Sequence, residues 1–419
     1  MPLQGPIVVV ADTQAADLVE ALRAAGAFPI VEVCWADADS ALIKVDPEAL
    51  VLADACADPA RVMTLAERLK ARTGPFIPVI ARTRADGSAI LPDALSIAAG
   101  APAARLANRL ASAQRIRTLH STVLRRTRTL ASHGEPLPEL PASDPLDEAS
   151  VLLAGRGRSY PMLSVAVGER VGVVGALSVE NAARALQARH IDGVVIGDGF
   201  GPRLVDALLT VMAENVRLRD LPVAMLAGHP GSIGRFAEHL PNLECINEGP
   251  QRLVERFLPY VRLHAFCERM RRMLKSLDAK GMIDPDTGLL GHAAFWRDLN
   301  RAVGDAEKRG VGLSIARFSF NGSDRRSGLD AARLLSRLMR QVDFACREAD
   351  NSIFAVFTDT DLRAAHVVAR RLASILKNTT MAPDRKRVGI DTAVTLATLR
   401  PTDSVNSLIA RVVGRAATG

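Results

Sequence analysis

The chain has 419 residues, 48% apolar and 24% charged, which suits two to four separately cored domains and is too apolar for a disordered chain. Its formal net charge of +7 comes from an arginine excess, a balance compatible with a nucleic-acid surface or a pocket for an anionic ligand. Only two Trp and two Tyr occur, a poor supply for a stacking platform on single-stranded nucleic acid, and no run approaches the roughly 18 to 20 apolar residues of a membrane span.

The first segment opens with the apolar run Ile7 to Val10, continues through a helical pattern from Ala15 to Ala25, and then shows strand-like runs at Ile30 to Cys34, Leu50 to Leu52 and Pro78 to Ile80. Short β-branched runs alternating with helical patterns are what a parallel sheet covered on both faces requires. A doubly wound α/β domain is expected over 1–126. The stretch Ser132 to Pro141 holds three prolines and suits neither a helix nor a central strand, so 127–149 is read as a linker. The rhythm then restarts over 150–262, with strands at Val151 to Leu153, Gly172 to Val174, Val194 to Ile196 and Pro222 to Met225, and a helix at Val179 to Arg189. A connecting helix is expected over 263–281, where Leu263, Phe266, Met270, Met273 and Leu277 recur at spacings of three and four. That seam fits pairing with another helix, or an amphipathic helix lying on its own domain. The remainder, 282–419, mixes strands (Gly312 to Phe318, Ile353 to Phe357, Asp391 to Ala397) with helices (Ala293 to Ala306, Ala331 to Val342, Leu362 to Leu376), as an α+β domain does.

Cys34, Cys56, Cys245, Cys267 and Cys346 are scattered singletons without a CxxC or Cys/His cluster, so neither a disulfide framework nor a metal site is expected and all five are read as buried small hydrophobes. Met1 to Val10 lacks a basic segment followed by an apolar stretch and a cleavage site, which places the expected location in the cytoplasm.

Each α/β repeat resembles the receiver domain of two-component signalling, a flavodoxin-like fold. The resemblance implies acids after the first strand to hold magnesium, a phosphoacceptor aspartate ending the third strand and a lysine after the fifth, all meeting at the carboxyl ends of the strands. In the first repeat Ala11-Asp12 stands at the acid pair, Asp54 at the acceptor, and no Lys-Pro occurs near Ser96 to Gly100. In the second, Ala154-Gly155 replaces the acids, Asp198 stands at the acceptor, and Asn247-Glu248-Gly249-Pro250 takes the lysine's place. Without the acids and the lysine an aspartyl phosphate forms poorly. Asp54 and Asp198 are the phosphoacceptor candidates, and the repeats are expected to act as docking and dimerisation surfaces for protein partners.

The segment Asp284 to Leu290 resembles the opening of GGDEF domains, the diguanylate cyclases, and with two receivers ahead the chain resembles PleD-type response regulators. That family's chemistry needs two carboxylates to hold magnesium against GTP, and glycines that let the backbone approach the nucleotide. Here Arg317-Phe318-Ser319-Phe320 stands at the strand aspartates and Ala349-Asp350-Asn351-Ser352-Ile353 at the signature hairpin. No catalytic residue, metal or cofactor is assigned, and the chain is expected not to be an enzyme. The resemblance also places Arg340 and Asp343, four residues before Arg347, at the product-binding R-x-x-D site of the family, with Arg371 as a further arginine and Arg309 as one offered to a neighbouring domain's ligand. A guanidinium forks onto guanine O6 and N7, and a carboxylate accepts from N1 and N2 hydrogens. The pair is expected to project together into solvent.

The leading expectation is a cyclic di-GMP effector that acts as a homodimer, and its resemblance to effectors of this architecture implies recruitment of protein partners for cell-cycle-regulated proteolysis at a cell pole. The alternatives are a ligand-independent dimeric scaffold, a residual diguanylate cyclase, or nucleic-acid binding through Arg115, Arg117, Arg125, Arg126 and Arg128 or through Arg269, Arg271, Arg272 and Lys275. Charge runs of the last kind are read as solvated helix faces.

Overall fold

The computed structural model describes residues 3–13, 15–83, 88, 90–91, 93–98, 100–131, 143–226, 235–236, 238–246, 249–278, 282–284, 286–320, 325–378 and 392–414. Most of the proline-rich linker, Asn247, Glu248 and Asp391 lie outside the described residues. The chain divides into two compact units, one formed by 2–117 with 140–270 and the other by 118–139 with 271–419.

The first unit holds two parallel sheets. The first runs β1 (Gln4–Val10), α1 (Ala16–Ala24), β2 (Phe28–Val33), α2 (Ala38–Val45), β3 (Ala49–Leu52), α3 (Pro59–Lys70), β4 (Val79–Arg82), β5 (Leu95–Ile97) and α4 (Ala103–Ala131). Its strand order is β2-β1-β3-β4-β5, that of the flavodoxin-like doubly wound fold. The unbroken apolar runs are explained by burial on both faces. Val8, Val10, Leu50 and Leu52 pack with Ala38 and Leu42 of α2 and Leu65 of α3, whereas Ile7, Val9 and Val51 pack with Leu18 and Leu22 of α1 and Leu106 and Leu110 of α4.

The second sheet follows a short turn of 3-10 helix at Pro145–Glu148 and runs β6 (Ser150–Ala154), α5 (Tyr160–Gly168), β7 (Gly172–Ala176), α6 (Val179–Ala188), β8 (Gly193–Ile196), α7 (Pro202–Glu214), β9 (Val223–Leu226), β10 (Leu243–Ile246) and α8 (Pro250–Asp278). Read from its other edge, β10-β9-β8-β6-β7 is the same order as in the first sheet. The strands and crossovers of the repeat thus follow one plan.

The other unit contains α9 (His292–Arg309), β11 (Leu313–Phe320), α10 (Arg325–Leu338), β12 (Phe344–Arg347), β13 (Ile353–Thr358), α11 (Leu362–Asn378), β14 (Thr392–Thr398) and α12 (Val405–Val413). Its sheet is antiparallel, in the order β12-β13-β11-β14. Ala316 and Phe318 of β11 and Ile353, Ala355 and Phe357 of β13 share a core with Ala331 and Leu335 of α10 and Ala365, Ala369, Leu372 and Leu376 of α11. Upstream, Asp284 ties a tight turn: its carboxylate accepts from the Asp286 amide at 3.1 Å and the Thr287 hydroxyl at 2.7 Å, and Gly288 takes a positive φ of 71°.

Two elements run past their expected ends. α4 extends to Ala131, beyond the expected boundary at 126, because nothing in 127–131 breaks a helix. α8 is one helix from Pro250 to Asp278, although Pro259 lies inside it. Met270, Met273 and Leu277 of its apolar seam are buried within the chain itself. Of the cysteines, Cys56, Cys267 and Cys346 are buried, Cys245 is half-buried, and Cys34 is exposed, against expectation. Among the described residues no helix is long and apolar enough to cross a membrane.

Candidate functional site

α10 ends at Leu338, and the Asp343 amide donates to the Arg340 carbonyl at 3.1 Å, so Arg340 to Asp343 forms the turn that leads into β12. β12 pairs antiparallel with β13, Phe344 opposite Val356, and this register brings Asp343 beside Thr358. The Thr358 amide donates to Asp343 Oδ1 at 3.0 Å, while the Thr358 hydroxyl lies 3.4 Å from that oxygen and 3.2 Å from the Val342 carbonyl. Asp343 is therefore buried, at 7% exposure, and the expectation of two side chains projecting together into solvent is corrected. Arg340 alone is exposed, and it makes no hydrogen bond or ion pair among the described residues.

The strand pins Asp343 Oδ1, and Oδ2 makes no hydrogen bond among the described residues. Burial pushes the Asp343 carboxyl up to about 7, against the opposing pull of the Arg340 guanidinium and the hydrogen bonds from Thr358.

Arg371 lies exposed on α11, without a hydrogen bond or ion pair among the described residues. Arg309, at the end of α9, is buried at 8% exposure, and its guanidinium pairs with Asp359 at 3.1 Å. An arginine so engaged is not presented to a neighbouring molecule. Thr358 was not singled out by sequence reasoning, since a threonine closing the apolar strand Ile353 to Phe357 carries no signal beyond strand propensity.

On β11, Arg317 stands against the hairpin between β12 and β13. Its Nη2 lies 2.6 Å from Asp350 Oδ2 and its Nε donates to the Ser352 hydroxyl at 3.2 Å, while Asp350 Oδ1 accepts from the Ser352 amide and hydroxyl. Partial burial raises the Asp350 carboxyl, but Ser352 and Arg317 outweigh it and hold the group below the usual carboxylate range. A guanidinium and a carboxylate satisfy each other there.

Asp54 and Asp198 lie after the third strand of their sheets, as the sequence implied, but both are engaged. Asp54 Oδ2 accepts from the amides of Asp12 and Thr13 and from the Thr13 hydroxyl at 2.9 to 3.0 Å, and Oδ1 accepts from the indole of Trp35 at 3.1 Å. Asp198 Oδ1 accepts from the Ser159 amide at 3.2 Å and from its hydroxyl, which holds the carboxyl below the usual range. A β-carbon on Gly157 would fall 2.2 Å from Asp198 Cγ, so only glycine lets this arrangement form.

The arginine runs read as solvated helix faces divide: Arg115, Arg128, Arg272 and Lys275 are exposed as expected, whereas Arg117, Arg125, Arg126 and Arg269 are buried. Arg117 is fully buried: its Nε and Nη2 take both oxygens of Glu48 at 2.9 and 3.1 Å, and its Nη1 reaches the carbonyls of Pro75 and Phe76. Arg125 pairs with Asp298 at 3.1 Å, Arg126 with Asp278, and Arg269 with Glu148 at 3.2 Å. A further buried cluster gathers Arg105, Arg109 and Arg256 around Glu244, at 3.2, 2.7 and 2.9 Å. These cations are consumed by internal acids, which weakens the case for a nucleic-acid face along α4.

No family model matches the chain, and no curated protein sequence matches it. Solved structures are similar over about a third of it. The coiled coil and GGDEF domain of DgcB from Caulobacter crescentus, in complex with c-di-GMP, is 18% identical, with 35% of this chain and 84% of that one covered and a TM-score of 0.30. The GGDEF domain of FimX from Pseudomonas aeruginosa is 17% identical, with 32% and 90% covered and a TM-score of 0.29. The diguanylate cyclase SiaD from Pseudomonas aeruginosa, in complex with its activator SiaC, is 17% identical, with 36% and 64% covered and a TM-score of 0.32. These neighbours include diguanylate cyclases, which stands against the expectation that the chain is not an enzyme, and that expectation is withdrawn.

Proposed function

We propose that the domain formed around the antiparallel sheet is a GGDEF-like module that binds cyclic di-GMP at the Arg340–Asp343 turn, with Arg371 as an additional phosphate or base contact. The observation that carries this reading is the pairing of an exposed guanidinium, without a hydrogen bond among the described residues, with a carboxylate that has one oxygen pinned by Thr358 and the other without a hydrogen bond among those residues. Such a pair offers donors to guanine O6 and N7 and an acceptor to its N1 and N2 hydrogens. The two parallel-sheet segments act as receiver-like docking surfaces, in which Asp54 and Asp198 serve mainly as anchors for the loops above their sheets. The assembly is then a PleD-type chain similar to PopA-type effectors, a homodimer that turns dinucleotide binding into recruitment of protein partners for regulated proteolysis at a cell pole.

Calorimetric titration of the full chain with cyclic di-GMP tests the reading. Saturable binding by the wild type, and its loss in Arg340→Ala with the fold intact by circular dichroism, is the expected result. Equal affinity in the two proteins, or no heat in either, refutes it and leaves the ligand-independent scaffold.

A further inference from the structure

The strand end that holds Asp343 is itself held from α4. Asp359, which follows Thr358, has a left-handed backbone with φ of 48°, a conformation that aspartate tolerates better than most side chains. Its carboxylate is held from two helices. Asp359 Oδ2 accepts from Nη2 of Arg309 at 3.1 Å and from the hydroxyl of Thr118, on the C-terminal part of α4. The next residue is also fixed, since the Thr360 amide donates to the Gly312 carbonyl at 3.0 Å and its hydroxyl to the Thr358 carbonyl at 2.8 Å.

We infer that Thr118, Arg309 and Asp359 form a clasp that positions Thr358 and, through it, the carboxylate of Asp343, so that dinucleotide affinity depends on an α4 residue that touches no ligand. The inference rests on the proposed Arg340–Asp343 site and adds its regulation: whatever shifts α4 at Thr118 releases the strand end that aims the acceptor. Thr118 and Asp359 are positioning residues in this scheme. They act on the base through the strand end, because the Thr358 amide is the donor that fixes Oδ1.

The test uses the full chain and three proteins: wild type, Thr118→Val, which keeps the side-chain shape and removes the hydroxyl, and Thr118→Ser, which restores the hydroxyl. Two quantities are measured on each, the affinity for cyclic di-GMP by calorimetry and the hydrogen exchange of the Thr358 amide by NMR. Thr118→Val is expected to weaken affinity about tenfold, within the range by which remote positions modulate coupling. It should also speed Thr358 exchange about tenfold at an unchanged melting temperature, and Thr118→Ser should recover both. Unchanged exchange in Thr118→Val overturns the clasp, whatever the ligand does. Faster exchange with unaltered affinity overturns its role in recognition. A wild type that binds no dinucleotide refutes the proposed function and the coupling to it, while the exchange comparison still decides whether the clasp exists.

Discussion

Asp343→Asn separates the stability of the turn from its use. In the folded chain burial holds the Asp343 carboxyl near 7, whereas its ordinary value is 3.8. A folded value above the unfolded one means that the protonated group suits the fold: its contribution is complete below the unfolded value and is lost as pH rises through the folded one. The separation of about 3 pH units corresponds to roughly 4 kcal/mol of strain from the ionised carboxylate at pH 8, as an upper figure. Asparagine keeps an acceptor for the Thr358 amide and carries no charge. The variant should therefore be the more stable protein at pH 8, by up to about 4 kcal/mol, with a difference that vanishes near pH 4. Hydrogen exchange of the β13 amides, measured from pH 4 to 8 after correction for the intrinsic rate, reads this directly. Cyclic di-GMP binding should disappear in the same variant, because an amide cannot accept from both guanine donors. In the wild type, affinity should fall as pH drops below about 7, where a proton competes with the base. A stability difference that does not change with pH, or a variant less protected at pH 8, refutes the reasoning.

Asp54→Ala removes the acceptor of hydrogen bonds from Asp12, Thr13 and the buried Trp35 indole, and should destabilise the first sheet by about 2 kcal/mol, with a shift in Trp35 emission. An unaltered melting curve and spectrum refute the anchoring role. Glu244→Gln leaves Arg105, Arg109 and Arg256 around a neutral amide and should cost about 3 to 5 kcal/mol. Burial raises the Glu244 carboxyl, but the three arginines outweigh it and hold the group low; its contribution is present above the ordinary value of 4.5 and lost as pH falls through the lower folded value. The wild type should accordingly show an acid-unfolding step that the variant lacks, and identical acid profiles contradict the assignment.

Legibility in the sequence follows burial. Ile7 to Val10, Leu50 to Leu52 and Val151 to Leu153 stand out as strands because both of their faces are covered, leaving no polar position to interrupt the run. β5, β10 and β12 escape notice because each is an edge strand of three or four residues, with Ser96, Glu244 or Arg347 breaking the pattern. The R-x-x-D pair was found by its position relative to the hairpin, whereas the depth of Asp343 was not, since burial there is set by the pairing of β12 with β13. The charged runs misled for a related reason. Helical spacing shows that Arg117, Arg125 and Arg126 lie on α4, but their partners Glu48, Asp298 and Asp278 are remote in sequence, so composition alone leaves them looking exposed.

Those interior guanidiniums also set the tolerance of the chain to drift. Arg117 grips both oxygens of Glu48 and two main-chain carbonyls at once, a task for a flat five-donor fork that a lysine's single ammonium cannot perform. Swapping arginine for lysine there keeps the charge and forfeits the geometry. A saturation scan along α4 should consequently register arginine-only positions, on a stretch whose spelling suggests interchangeable cations.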